Sequence, residues 1–220
     1  MLILGYSLTA VAAYLLGSIP TGFLVAKARG VDIRTVGSGN IGATNVFRYL
    51  GKPAGIFVLL VDALKGWLAV AVVAKLISGW LYPGASQLAQ EWFQIIAGIS
   101  AILGHNYTCW LYFKGGKGIA TSAGVLAALV LQPLLIILAV WILVFALSRY
   151  VSLASIAAAL TLPFASWLTG QSLKIVLVTT AMSALAIYKH KTNIKRLMDG
   201  TENRIGRKQT PAADASKQTS

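Results

Sequence analysis

A succession of long apolar segments constrains what this chain can fold into. The runs contain very few charged residues, and short polar segments separate them. A helix needs about 20 apolar residues to cross a bilayer, and a backbone in lipid must satisfy its hydrogen bonds internally, so each run is predicted to be a membrane helix. The seven runs cover residues 2–25, 53–78, 88–104, 118–132, 133–148, 151–169 and 172–188.

Composition supports a membrane protein rather than a soluble one. The chain is 57% hydrophobic and 11% charged, which is more apolar surface than one soluble core can hide. We therefore predict an all-α integral membrane protein with seven transmembrane helices, forming one domain over residues 1–198. Residues 199–220 are predicted to be a disordered polar tail. The least certain boundary is Gln132–Pro133, because residues 118–148 could be two spans or one bent unit.

The distribution of basic residues predicts the orientation in the membrane. All but three of the 19 lysines and arginines lie in loop 26–52, in loop 105–117, at Arg149 or in the segment from Lys189 onward. Basic residues concentrate on the cytoplasmic side of membrane proteins, so these segments are predicted to face the cytoplasm. The N-terminus is then outside and the C-terminus inside. The net charge of +13 is explained by this rule without a nucleic-acid partner.

The most unusual stretch of loop 26–52 is residues 37–48, GSGNIGATNVFR. Its glycines allow tight turns with exposed N–H groups, and its serine, threonine and asparagines add short polar side chains. A helix that begins near Thr44 would direct its free N–H groups and positive dipole end to the same place, with Arg48 one turn further on. This composition is typical of a phosphate-binding site.

Two nucleotide-binding motifs match this stretch superficially, and neither fits its context. Gly37, Gly39 and Gly42 have the spacing of a dinucleotide fingerprint, and Asp62 follows at the expected distance. Asp62, however, lies inside an apolar run, and no alternating strand and helix pattern follows. A P-loop requires lysine where this chain has Ala43. Only the shared chemistry remains, which is backbone amides around a phosphate.

A second glycine-rich turn with a lysine occurs in loop 105–117. Lys117 stands between Gly116 and Gly118 at the start of an apolar run, where it could neutralise a phosphate oriented by backbone amides. The alternative is an ordinary turn with a positive-inside lysine. A second such loop on the same predicted face favours the binding site.

Ionisable and polar residues at helix positions supply further candidates. Asp62 and Lys65 stand three apart inside a predicted span, where they would form an ion pair or serve a catalytic role. Ser155 lies near the start of a span, where serine commonly bonds its own backbone. His190 and Asn193 are three apart and share one face of a basic helix.

Several motifs in a fixed order resemble one known family. GSIPTGFLVAK, GSGNIGATNVFR, DALKG, GHNYTCWLYFKGGKGIATS and HKTNIKRL are similar to the bacterial acyl-phosphate:glycerol-3-phosphate acyltransferases over residues 17–197. The resemblance implies a multi-pass protein of the bacterial plasma membrane whose active site faces the cytoplasm and needs no metal or other cofactor. It implies transfer of a fatty acyl group from acyl phosphate to the 1-hydroxyl of glycerol 3-phosphate, giving lysophosphatidic acid and phosphate.

The resemblance also implies roles for individual residues. Lys117, Thr44, His190 and Ser155 would be catalytic. The acyl phosphate would be held by Ser38, Gly39, Asn40, Thr44 and Lys117. Glycerol 3-phosphate would be held by Arg48, Lys117, Ser155, His190 and Asn193. For the proton of the attacking hydroxyl, the candidates are His105, His190, Asp62 and a phosphate of the substrate itself, which we favour because protein bases are scarce.

Two other functions are weighed against this reading. An acyl-CoA-dependent transferase would use a His-x4-Asp pair, but Trp110 follows His105 and Lys195 follows His190 at that spacing. A transporter of organic phosphates would show internal repeats, which the sequence lacks. The partners expected are the two substrates, the lipid bilayer and a soluble acyl-phosphate synthase docking on the basic inner face.

Overall fold

Residues 2–206 form helices and loops, with no strand in this part of the chain, which is the part that the computed structural model describes. The helices are α1 (Leu2–Ser18), α2 (Thr21–Lys27), α3 (Ala43–Leu50), α4 (Lys52–Leu68), α5 (Ala74–Leu81), α6 (Gln87–Asn106), α7 (Ile119–Leu129), α8 (Leu131–Ser148), α9 (Val151–Leu168), α10 (Leu173–Lys189) and α11 (Lys191–Met198). A π-helical segment, Ala69–Val73, joins α4 to α5, and a short 3₁₀ turn, Cys109–Leu111, lies in the loop before α7.

Several helical segments are long and apolar enough to cross a bilayer. Within residues 2–206 there are four of these, Leu2–Lys27, Lys52–Leu81, Leu131–Ser148 and Val151–Leu168, and a fifth if α10 and α11 count as one span despite a bend of 57°. Helix α7 has 11 residues and is therefore about 16 Å long, well short of a bilayer core of about 30 Å. The architecture agrees with the predicted all-helical membrane protein.

The first predicted apolar run is broken at Ile19–Pro20, between α1 and α2, and a buried ion pair binds polar groups on both sides of the break. Pro20 interrupts the helix, so the Ile19 carbonyl accepts a hydrogen bond from Lys65 Nζ at 2.8 Å. Thr21 Oγ1, at the start of α2, donates to Asp62 Oδ1 at 3.0 Å. Lys65 Nζ lies 2.8 Å from Asp62 Oδ1, and both side chains are buried. The cation thus meets the carbonyl end of α1 and the anion meets the amide end of α2, as the helix dipoles favour.

The uncertain boundary in residues 118–148 falls earlier than predicted. Helix α7 gives way to α8 at Val130, whose extended backbone has φ −149° and ψ 82°. Pro133, predicted to mark the turn, instead lies in the first turn of α8. Proline is tolerated there because the first helical N–H groups have no partner within the helix. The region therefore consists of two helices.

Helices α4 and α7 touch through their backbones at two glycines. A Cβ atom on Gly124 would overlap the carbonyl oxygen of Ala63, and one on Gly66 would overlap that of Thr121. Small residues at crossings are how membrane helices approach closely enough to pack well. Because α7 begins shortly after Lys117, this contact also sets the position of the Lys117 loop against α4.

We expect Gly124→Ala to destabilise the protein by roughly 1–3 kcal/mol, because the added methyl meets backbone that cannot rotate away. The apparent melting temperature in detergent should fall on the order of 5 °C. Gly79→Ala is the matched control, because a Cβ there meets no atom within 4 Å. Equal melting temperatures for the two variants would show that the α4–α7 contact is looser than described.

Candidate active site

A cavity of about 330 Å³ opens among α3, α4, the Lys117 loop and α7 to α11. Its lining changes character along the helices. On α9 it passes from Ser152 and Ser155 at the start of the helix to Leu162 two turns later, and on α10 from Met182 to His190 at the end. The cavity therefore has a polar end and an apolar wall, the arrangement that fits a charged head group joined to an alkyl chain.

The glycine-rich loop before α3 is organised around a buried asparagine. Asn45 Nδ2 donates to the carbonyl oxygens of Ile33, Val36 and Asn40 at 3.2, 3.0 and 3.0 Å. Its Oδ1 accepts from the Ser38 N–H at 3.0 Å. The two N–H groups of Nδ2 are shared among three carbonyls, so one side chain contacts four backbone groups in a segment that has no regular structure.

The amides of this loop are less available to a ligand than the sequence predicts. The Gly39 N–H donates to the Val36 carbonyl at 3.0 Å, and the Gly42 N–H donates to Asn40 Oδ1 at 2.8 Å. Gly39 has φ +68° and is not part of the cavity wall. Its predicted contact with acyl phosphate stays a prediction, since this glycine makes the turn and its N–H is used within the loop.

The start of α3 lies in the cavity wall. Ala43 and Thr44 form the first turn and line the wall, close to the predicted helix start at Thr44. First-turn N–H groups have no helical partner, and the positive dipole end reinforces their attraction for an anion. Arg48 lines the same wall, and its Nη2 donates to the Asn203 carbonyl at 3.0 Å.

A chain of hydrogen bonds connects Lys117 to a carboxylate. Lys117 Nζ donates to Asn193 Oδ1, and Asn193 Nδ2 donates to Glu202 Oε1 at 2.9 Å. Ser152 Oγ donates to the same oxygen at 3.0 Å. The Lys117 loop, α11, the segment after α11 and the start of α9 meet in this chain.

Glu202 is a site residue that sequence reasoning missed. It falls in the predicted disordered tail 199–220, yet its side chain is buried and lines the cavity. Residues 199–206 pack against the bundle, and the Ile205 N–H donates to the Arg149 carbonyl at 3.0 Å. Residues 207–220 lie outside the described part of the chain. The sequence does contain one signal, which is the presence of two acids, Asp199 and Glu202, in a strongly basic segment.

Burial and neighbouring charge change the titration of Lys117. Desolvation lowers the pKa of its ammonium group to about 8, and the nearby cations Arg196, Arg48 and Lys189 add to the effect. The carboxylate of Glu202 acts in the opposite direction. Lys117 is therefore a cation at neutral pH whose charge is lost in mildly alkaline solution.

His190 follows the last residue of α10 and is neutral at physiological pH. Burial and then the charge of Lys117 lower the pKa of its imidazole to about 4. Nδ1 lies 2.7 Å from the Ala186 carbonyl, which can only accept, so Nδ1 carries the proton. Nε2 is then an unprotonated acceptor for a hydroxyl in the cavity.

Ser155 is fixed at the boundary between the polar end and the apolar wall. Its hydroxyl donates to the Val151 carbonyl at 2.9 Å and accepts from Trp141 Nε1 at 3.1 Å. The backbone bond is the one expected for a serine in a membrane helix. The hydroxyl proton of Ser155 is therefore donated to the backbone and is not offered to the cavity.

One cavity brings together most of the residues predicted to form the site. Its wall includes Ser38, Asn40, Thr44, Arg48, Lys117, Ser155, His190 and Asn193. It also includes polar residues to which the sequence assigned no binding role, namely Asp62, His105, Ser152 and Glu202. Among residues 2–206, no group of three or more His, Cys, Asp or Glu side chains is arranged to hold a metal ion.

The chain matches one family over most of its length. The family model described as glycerol-3-phosphate acyltransferase matches residues 7–200. The glycerol-3-phosphate acyltransferase of Endomicrobium trichonymphae is 47% identical over 196 residues, covering 89% of this chain and 93% of that protein. The protein of the same description from Geotalea daltonii is 49% identical over 195 residues, covering 88% and 94%.

Solved structures agree with this match. A crystal structure of PlsY (YgiH), described as an integral membrane glycerol 3-phosphate acyltransferase in its glycerol 3-phosphate form, has a TM-score of 0.80 and 41% identity, covering 91% of this chain and 96% of that one. Its lysophosphatidic acid form has a TM-score of 0.78 and 39% identity, covering 91% and 95%. The chain belongs to the glycerol-3-phosphate acyltransferase family, as its motifs predicted.

Replacing Asn45 should unfold the loop before α3 without disturbing the bundle. Asn45→Ala leaves the Ile33 and Asn40 carbonyls and the Ser38 N–H without their partner, at about 1–3 kcal/mol for each group that water cannot reach, while the Val36 carbonyl keeps the Gly39 N–H. Amide hydrogen exchange over residues 33–45 should become faster. Thr35→Ala is the control, because Thr35 is an exposed residue of the same loop. Unchanged exchange in Asn45→Ala would contradict this role.

Proposed function

We propose that the protein transfers a fatty acyl group from acyl phosphate to the 1-hydroxyl of sn-glycerol 3-phosphate. The products are lysophosphatidic acid and inorganic phosphate, and the step is the first acylation of phospholipid biosynthesis. The observation that carries this proposal is the single cavity in which the α3 N-terminus, Arg48 and Lys117 converge at one end of an apolar wall. Such a cavity suits two phosphorylated reactants, one of which has an alkyl chain.

The chemistry of the cavity favours an activated donor. Acyl phosphate is a mixed anhydride with a good leaving group, so the protein needs positioning and charge stabilisation rather than a nucleophile. The hydroxyls of Ser152 and Ser155 are both committed as donors to other groups, and Cys109 is not part of the wall. We assign the donor phosphate to Thr44 and Lys117, with the side chains of Ser38 and Asn40 beside them.

The acceptor is assigned to the opposite part of the polar end. Arg48 and Lys117 offer two cations to the phosphate of glycerol 3-phosphate. His190 Nε2 accepts a hydrogen bond from a glycerol hydroxyl, since its Nδ1 carries the proton. Asn193 and Ser155 complete this subsite. Lys117 contacts both phosphates in this assignment, which makes it the residue through which the reactants are aligned.

A phosphate of the substrate takes the proton of the attacking hydroxyl. His190, with a pKa of about 4, is a weak base, and its Nδ1–H is fixed to a carbonyl. A phosphate monoester has a second pKa of about 6, by analogy with phosphoserine, and is already in the cavity. The reaction then proceeds by addition of the hydroxyl oxygen to the acyl carbon and departure of phosphate, with the proton moving to a phosphate oxygen.

The proposal includes the placement of the protein in a bacterial plasma membrane. We propose seven spans, in which α6 has the length of a full crossing and the short α7 is accommodated by local thinning of the bilayer, with the N-terminus outside and the active site facing the cytoplasm. The basic loops at the polar end of the cavity support this orientation. We extend the proposed acyltransferase domain from residue 198 to 206, because Glu202 belongs to the cavity. A soluble acyl-phosphate synthase would deliver the donor from the cytoplasm.

The donor assignment is tested with purified protein in detergent, supplied with glycerol 3-phosphate and either acyl phosphate or acyl-CoA. We expect lysophosphatidic acid and phosphate only with acyl phosphate, and phosphate release only when glycerol 3-phosphate is present. Lys117→Gln should lower kcat/KM on the order of 100-fold, since one residue aligns both reactants. The control is Lys114→Gln, an exposed lysine of the same loop. Turnover with acyl-CoA alone would overturn the proposed donor.

The pH dependence of kcat/KM should be bell-shaped, with its limbs set by Lys117 and by phosphate. The pKa of Lys117 is lowered to about 8, so the required cation is complete below that pH and is lost as the pH rises through it. The acid limb should lie near pH 6, where phosphate gains a proton, and not near pH 4, the value for His190. Lys117→Arg should remove the alkaline limb, because arginine stays charged. An acid limb near pH 4 would contradict the substrate as the base.

A further inference from the structure

His105 lies in the cavity wall, but neither substrate is assigned to it. The residue is the last but one of α6, and its imidazole is buried. Its Nδ1 faces Asp62 Oδ1 at 3.7 Å, and Nδ1 has no hydrogen-bond partner among the described residues. Asp62 is itself held by Lys65 and Thr21, so the carboxylate that faces the ring cannot move freely.

The opposite edge of the ring supports the glycine turn that precedes Lys117. A Cβ atom on Gly116 would overlap His105 Nε2, and the other ring atoms would be its next neighbours. The Gly116 N–H donates to the His105 carbonyl at 3.0 Å, and the Gly115 N–H donates to the Asn106 carbonyl at 3.2 Å. The loop therefore packs directly against the end of α6, and the imidazole ring lies under Gly116.

We infer that His105, whose ring lies between the Asp62 carboxylate and Gly116, is a positioning residue for Lys117 that sets the height of the Gly115–Gly118 turn in the cavity. The kinetic part of this inference rests on the proposed function. The turn packs directly against the imidazole ring. A smaller side chain at position 105 would leave a gap, and the turn could then move toward α6. The lysine would then move away from Asn193 and from the phosphates that it is proposed to align.

The height of the turn also decides how far solvent reaches Lys117. The turn places the Lys117 ammonium group inside the cavity, where it is desolvated. Side chains from several elements surround it there. Those groups are Asn193, Arg196 and Glu202 from α11 and the segment after it, Arg48 from α3, and Lys189 and His190 at the end of α10. If the turn sinks, water reaches the ammonium group and its pKa rises from about 8 toward the ordinary value of 10.5.

The first experiment measures the pKa of Lys117 without using the reaction. Purified wild-type protein and His105→Ala are labelled with an amine-reactive anhydride over a series of pH values, and modification of Lys117 is followed by mass spectrometry. We expect an apparent pKa of about 8 in the wild type and a higher value in the variant. The exposed Lys114 in the same loop serves as the internal reference.

The second experiment uses the steric contact itself. Gly116→Ala should be damaging because its methyl group meets the imidazole, whereas the double variant His105→Ala, Gly116→Ala removes the obstacle. We expect the double variant to have a higher kcat/KM than Gly116→Ala alone. His105→Ala alone should lose on the order of 10-fold to 100-fold in kcat/KM. The alkaline limb of its pH profile should move to higher pH.

Tyr14→Phe is the matched control for both experiments. It removes a hydrogen bond of 2.6 Å from Tyr14 Oη to the Tyr107 carbonyl, at the same end of α6 but away from Gly116. Its Lys117 titration should equal that of the wild type. Should His105→Ala not fold, His105→Asn, which keeps an N–H near Asp62 and withdraws the ring atoms from Gly116, carries the same expectation.

Two outcomes overturn the inference while leaving the proposed function intact. One is an unchanged Lys117 pKa in folded His105 variants, and the other is a double variant no better than Gly116→Ala. A wild-type protein that forms no lysophosphatidic acid from acyl phosphate would instead refute the proposed function. The labelling result would still decide the role of His105.

Discussion

Compensation of the Lys117 charge is the interaction on which the polar end of the cavity depends. A cation removed from water is costly unless hydrogen bonds and an opposite charge replace its hydration. Here Asn193 accepts from the ammonium group and passes the interaction to Glu202. The carboxylate is thus one residue away from Lys117, so it offsets the charge without occupying the place of an incoming anion. An ammonium group has three donors, which leaves others for a ligand.

The buried charges inside the bundle also compensate one another and make further hydrogen bonds. Lys65 and Asp62 form an ion pair, and each also satisfies one side of the helix break at Pro20. The same carboxylate faces His105, and His105 supports the turn that holds Lys117. A break in the first apolar segment and a lysine in a distant loop are therefore linked through one buried cluster, which explains why charged residues persist in a membrane helix.

The sequence predicts the helical segments and most of the cavity residues, because both depend on local chemistry. Apolar runs, a glycine-rich turn before a helix and a lysine after two glycines are visible without knowledge of contacts. The sequence does not show which polar groups already have partners in the fold. The Gly39 N–H, predicted to bind phosphate, donates to the Val36 carbonyl. Glu202 lies in a polar segment, and only the bundle shows that it meets Asn193.

The position of Glu202 has a consequence for biosynthesis. Domains begin to fold during synthesis from the N-terminal side, so α1 to α9 are made well before residue 202 leaves the ribosome. Until then, the basic residues of the polar end have no carboxylate to compensate them and must stay hydrated at the membrane surface. The cavity therefore closes only after residue 202 has been made, and a ribosome that stalls before this residue leaves an inserted but incomplete bundle.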